Sequence, residues 1–424
     1  MLFRRSWLVN WISMTKNRLV MSIRILSCCY IGLTRKRKPL HTGQIPYQHH
    51  RFSTCRKRWL SFLVLLISLL GISVVNAEPQ RLRVGFLCPK PPEHPFWGQV
   101  IRVMQAAAND LDIELIIQCS QRGTVATKRL GDKFINSEPK LDYLLTKYWT
   151  SVTKYHLPMA KERGIQVFIF NSNVVPEDIE QVGKPREIYS NWIGHMVPDD
   201  EQAGMQLAGM LLDRRNSQQQ ANQSKNPRLL VLKGKDSAPV SRLRNKGLHR
   251  QLENTPGIVP TEVALEYWTD DWAQEETLKA LKQQPQINMI WASNQAIAWG
   301  AVRGVEKLGK IPGKDIFVGG FDWNAESLPA IEDGRLSVTM FGQFLEGAWS
   351  LILLHDYHYG YDFADDAGVQ ILTPLVPMTA ANYKAYQKLL TEEFWESVDF
   401  KQYSKKYNPN LKKYNFSIEQ FLNN

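Results

Sequence analysis

From Arg81 onward, short apolar runs alternate with stretches whose apolar residues recur at helical spacing, and this alternation narrows the fold more than any other feature. Residues 82–87 (LRVGFL) form a short apolar run closed by a Pro-rich segment at 89–95. Apolar residues then fall at Phe96, Val100, Val103, Met104, Ala107, Ala108 and Leu111, one face of a helix. Strands are expected over 113–117, 142–146 and 166–170, with helices over 128–136 and 152–163 between them. After a polar, low-complexity tract at 215–227, which reads as a surface loop, the alternation restarts. Strands are expected over 229–232, 259–267, 289–292, 316–321 and 337–341, and helices over 241–252, 272–283, 296–308 and 325–332. Two successive α/β units of this kind call for two doubly wound parallel-sheet lobes with helices on both faces. Residues 381–424 read as a helix and a Tyr/Lys-rich tail docked on the body.

Charge separates the first 77 residues from the rest. The chain carries 52 Lys+Arg against 41 Asp+Glu, a net charge of +11. Residues 1–77 hold 13 of the bases and none of the acids, so the body from Glu78 holds 39 bases and 41 acids, a net of −2. A basic chain ordinarily suggests nucleic acid or an acidic membrane surface, but here the basicity belongs to a leader. Within it, Arg56-Lys57-Arg58 precede an uncharged run at 60–75, and Val75-Asn76-Ala77 follow. A basic n-region, an apolar h-region and a small-residue cleavage site make a secretory signal, with cleavage expected after Ala77 and export to the periplasm. The 55 residues before it fit no part of such a signal, and the natural start is expected further downstream. Cys88 and Cys119 are the two cysteines beyond the leader. Each ends an expected strand, and in an oxidising compartment they could pair where those strands splay; free Cys is also an ordinary small core residue.

Motifs for chemistry are sparse. The sequence has no GxxxxGK[ST], no GxGxxG after the first strand, no GxSxG and no HExxH. His355 and His358 stand near Asp356 and Asp362 and could ligate a metal, but they read better as the solvated end of a helix. No nucleophile, base or cofactor loop stands out, which favours a binding protein without metal or cofactor over an enzyme. Aromatic and polar residues instead collect where strands end: Phe96 and Trp97, Tyr148 and Trp149, Asn171-Ser172-Asn173, Trp268 and Trp272, Ser293-Asn294, Asp322-Trp323. In open α/β sheets, ligands bind outside the carboxyl ends of strands. Flat aromatic faces with polar groups between them suit a small polar ring such as a sugar.

Several blocks carry a resemblance to the type I periplasmic binding proteins, the ribose/galactose-binding group that shares a fold with LacI-type regulators. His94-Pro95-Phe96-Trp97 resembles the aromatic turn that stacks on the sugar, and residues 241–248 (SRLRNKGL) resemble the Arg-x-Arg-x-x-Gly-Phe block. Residues 292–301 (ASNQAIAWGA) resemble its Asn-Asp-x-x-Ala-x-Gly-Ala block, and 318–323 (VGGFDW) its Val-x-Gly-Phe-Asp block. The resemblance runs from about Arg81 to Leu375. It implies Phe96, Trp97, Arg244, Trp272, Asn294 and Asp322 as ligand contacts. Asn171 stands where the family places Asp-Arg, so a charged clamp is missing. Gln343 stands near the family's ligand Gln, although the spacing to Gly347 is one residue short.

The resemblance also implies a hinge of three chain crossings, expected near Gly194, Gly342 and residues 362–368. The first lobe is then expected to comprise 78–194 with 343–362, and the second 195–342 with 363–380. The function implied is a monomeric solute receptor that closes on a sugar-like ligand and delivers it to the permease of an ABC importer. The alternative is a ligand receptor for a membrane sensor kinase or cyclase, as with the autoinducer-2 and trimethylamine-oxide receptors. A LacI-type repressor does not fit, because no helix-turn-helix domain precedes Arg81, and no nucleic-acid partner is expected.

Overall fold

The computed structural model describes residues 81–120, 123–218, 227–322 and 327–422. The expected leader and its signal segment lie outside these residues, as does Trp323. The first run of elements is β1 (Leu82–Cys88), α1 (Pro95–Asp110), β2 (Ile113–Cys119), α2 (Gly123–Ile135), β3 (Tyr143–Thr146), α3 (Thr150–Glu162), β4 (Gln166–Phe170) and β5 (Trp192–Pro198). The second is α4 (Asp200–Ser217), β6 (Leu229–Lys233), α5 (Pro239–Glu253), β7 (Pro260–Ala264), α6 (Asp270–Gln283), β8 (Met289–Ala292), α7 (Gln295–Lys307), β9 (Phe317–Phe321), α8 (Ser327–Glu332) and β10 (Val338–Phe341). The chain then adds α9 (Glu346–His358), β11 (Gln370–Thr373) and β12 (Val376–Met378).

Two six-stranded sheets result, in the orders β11-β5-β4-β3-β1-β2 and β12-β10-β9-β8-β6-β7. All pairings are parallel except β12 on β10. Strand β1 is buried along its whole length, which is why it reads as an almost unbroken apolar run. Helix α1 turns Val100, Val103, Met104, Ala107 and Ala108 onto the sheet.

Sheet membership corrects two of the expected crossings. Gly194 lies inside β5, which pairs with β4 and β11 in the first sheet, so the chain leaves that lobe only after Pro198. The segment 362–368 precedes β11, itself a strand of the first sheet, so the late crossing falls between Thr373 and Val376. The sequence reading expects no strand at either segment, and their pairing partners assign both to the first lobe. The return from the second sheet runs through Gly342, whose φ of 130° suits a residue without Cβ.

Cys88 and Cys119 are directly opposed on β1 and β2, yet both are free thiols. Regular parallel neighbours point their side chains alike, and the Cys88 thiol meets both the Cys119 thiol and the Lys90 carbonyl, the latter at 2.8 Å.

The tail does more than cap the body. Tyr383 donates to Glu332 of α8 and Tyr386 packs edge-on against Phe341, 4.8 Å between centroids, both in the second lobe. Further on, Trp395 packs on Phe344, Phe421 stacks on Trp349 at 5.4 Å, and Lys401 reaches Asp110 of α1 at 3.2 Å, all on the first lobe. The tail therefore crosses between lobes a fourth time. It also buries the end of α9. His355 and Asp356, expected at a solvated helix end, are 1% and 0% exposed. Asp356 accepts from Ser404, Tyr414 and the Lys405 and Lys406 amides. No group of three or more His, Cys, Asp or Glu among the described residues could hold a metal ion.

Candidate ligand site in the cleft

The expected ligand residues come from strand ends of both lobes. In the first lobe, Pro95 opens α1 and His94 caps it, its Nδ1 accepting from the Trp97 amide at 3.4 Å. The two aromatics of this turn differ. Trp97 is 7% exposed and packs against Phe86 and Phe170, so it is a floor. Phe96, partly buried, lies edge-on to Trp97 at 5.1 Å and is the ring left to meet a ligand. Asn171, beyond β4, takes φ 65°, a conformation that Asn tolerates better than most residues. Its Nδ2 donates to Glu346 Oε2 at 3.3 Å.

In the second lobe, Arg244 is positioned by a close helix crossing. A Cβ at Gly247 would meet the Glu201 carbonyl at 1.8 Å, and one at Gly204 would meet the Arg244 carbonyl at 2.1 Å. Only glycines let α4 and α5 approach so closely, and that approach sets Asp200 against Arg244. Arg244 Nε donates to Asp200 Oδ1 at 2.8 Å and Nη1 to the Ser293 carbonyl at 2.7 Å. The guanidinium also lies 4.0 Å from the centroid of Phe321. Nη2 has no partner among the described residues and is the donor left for a ligand. Asn294 caps α7 through Oδ1, which accepts from Ile297 N at 2.9 Å, and its Nδ2 has no partner among the described residues.

The floor between the lobes is a set of buried polar groups. Asp322, at φ 67°, accepts from Gln343 Nε2. Gln343 is 3% exposed, and its Oε1 is buried without a partner. Glu346 is fully buried and accepts from Thr373 at 2.6 Å as well as from Asn171. Burial pushes Glu346 well above the usual carboxylate range. Burial also pushes Asp200 up to about 6, against the pull of Arg244. Asp322 is raised by burial too, with Arg244 opposing. His195, held to the Ser172 carbonyl at 3.0 Å, is lowered by burial to about 4 and stays neutral.

Arg244–Asp200, Gln343–Asp322 and Asn171–Glu346 are thus three separate hydrogen-bonded groups, close enough that the charges of Arg244, Asp200, Asp322 and Glu346 act on one another. Trp272 belongs to none of them. Its ring partner is Tyr267 at 5.3 Å, and among the described residues no hydrogen bond or ring contact joins it to Arg244. Asp200, Glu346 and Lys147 escape the sequence reading: the first two look like ordinary acids in the first turn of a helix. Across the mouth, Arg242 of α5 pairs with Glu177 of the first lobe at 3.5 Å. No helix among the described residues is long and apolar enough to cross a membrane.

Residues 84–357 match the family described as the periplasmic binding protein domain. A periplasmic sugar-binding protein from Pseudomonas fluorescens superposes with a TM-score of 0.71 at 29% identity, covering 81% of this chain and 100% of that one. The binding component of the arabinose ABC transporter from Shewanella sp. ANA-3, solved with L-arabinofuranose, has a TM-score of 0.60 at 20% identity, covering 74% and 98%. The ribose import binding protein of Bacillus subtilis (strain 168) is 31% identical over 119 residues, 28% of this chain and 37% of its own length. With two parallel-sheet lobes, strand ends converging on one cleft and a family match across most of both sheets, the chain belongs to the type I periplasmic binding protein family.

Proposed function

We propose that the protein is a periplasmic receptor that closes its lobes on a small sugar or sugar-like solute and presents it to the permease of an ABC importer. The observation that carries this reading is the floor joining the lobes, where Arg244 Nη2, Asn294 Nδ2 and Gln343 Oε1 remain open for hydroxyl groups. Phe96 supplies a flat apolar face for the C–H side of a ring. The sugar-binding Pseudomonas protein, matched over its whole length, supports the same reading. A ligand that touches both lobes only when they close shifts the open–closed equilibrium by that difference in contacts. Titration calorimetry of the chain from Glu78 onward against a panel of aldoses and their derivatives tests this. One-to-one binding with a smaller radius of gyration in solution scattering is expected, and a panel without a single binder rejects the reading.

A further inference from the structure

Lys147 is the first residue beyond β3, and the sheet fixes its place. Thr146 stands level with Leu87 on β1 and with Ile169 on β4. Lys147 therefore emerges between the turn that carries Phe96 and the turn that carries Asn171. A molecule bridging those two turns passes the end of β3, where Lys147 stands.

The ammonium lies 5.0 Å from the ring centroid of Trp149 and has neither an ion pair nor a hydrogen bond among the described residues. Trp149 adds an indole N–H that is buried without an acceptor. The acids nearby are engaged: Asp178 accepts from Lys154 at 2.6 Å and from Tyr148 at 2.7 Å, and Glu177 meets Arg242. Lys90 adds a second positive charge on the turn beyond β1, which also carries Glu93 and His94. In the facing lobe, Asp200 is held by Arg244 and Asp322 by Gln343. A cation in such a place either meets a counter-charge or gives up its proton. Burial, with the charge of Lys90, brings Lys147 down to about 8, so it is still protonated at neutral pH.

Building on the sugar reading of this cleft, we propose that the solute is a sugar acid, whose carboxylate accepts from Lys147 and the Trp149 indole while its hydroxyls meet Arg244, Asn294 and Gln343. The two walls then read the two ends of the solute: a donor-rich first lobe takes the anion, and a mixed second lobe takes the hydroxyls.

Calorimetry with matched pairs tests the proposal: galacturonate against galactose, glucuronate and gluconate against glucose, ribonate against ribose. At pH 6.5, at least one acid is expected to bind tenfold or more tightly than its neutral parent. Because the protonated amine binds the anion, that preference holds below about pH 8 and declines as the pH rises past it. Lys147→Met is expected to cost the acid tenfold or more and to remove its advantage over the parent sugar, with Lys147→Gln as a second variant if the first folds poorly. Neutral sugars binding as tightly as their acids, or an acid preference that survives Lys147→Met, overturns the sugar-acid assignment and leaves the sugar receptor standing. No binding by either class overturns both.

Discussion

At the scale of single residues, the pair Arg244–Asp200 is both clamp and liability. Its side chains are 4% and 1% exposed, so removing one partner strands the other as an uncompensated buried charge, at a cost of about 3–5 kcal/mol. Arg244→Met alone is therefore expected to lose stability as well as ligand. The double variant Arg244→Met/Asp200→Asn separates the two effects. Its melting temperature should recover most of what the single variant loses. Its affinity should stay ten- to hundredfold below wild type, the cost of about 1.5–3 kcal/mol for a charged donor lost to a buried polar ligand. Calorimetry showing wild-type affinity in the double variant would remove Arg244 from the site. Lys147 illustrates the opposite balance, a cation whose partner no described residue supplies.

At the scale of elements, helix α9 begins where the hinge ends, and Glu346 ties its first turn to Asn171 and to Thr373 of β11. Because burial disfavours the charged form of Glu346, its hydrogen bonds are expected to contribute more than its charge. Glu346→Gln is expected to stay within about 1 kcal/mol of wild type, and Glu346→Ala to lose about 1–3 kcal/mol as buried Thr373 and half-buried Asn171 lose their acceptor. Urea unfolding of both variants checks the difference; equal losses would argue for a charged Glu346. What sequence alone discloses also divides at this scale. The alternation of strands and helices is legible because burial on both faces writes itself as apolar runs and 3.6-residue stripes. Arg244, Asn294 and Asp322 are legible because they sit in compact blocks at strand ends. Glu346 is not, since an acid in a helix's first turn has a local explanation already. The crossings at 198 and 374 are not, since lobe membership of β5 and β11 depends on pairing partners far away in sequence.

At the scale of the whole molecule, the tail binds the lobes together from outside the cleft. Phe400 and Phe421 are fully buried and Trp395 is 3% exposed, so this segment is part of the core and not an appendage. Phe421→Ala is expected to cost about 3–5 kcal/mol, readable in thermal unfolding; a loss below 1 kcal/mol would show that the tail's packing is dispensable. Tyr383→Phe, which removes only the hydroxyl bonded to Glu332, should cost far less.

The strand order β11-β5-β4-β3-β1-β2 has a further consequence, for the order in which the chain can be finished. An edge strand of the first sheet is made from residues 370–373, an edge strand of the second from residues 376–378, and the layer over α1 and α9 from the last forty or so. A nascent chain that has emerged only as far as β10 holds both sheets without their final strands and α1 without its cover. Neither sheet reaches its full complement of strands until residues 370–378 are in place, so each lobe depends on a segment far along the chain for its last edge.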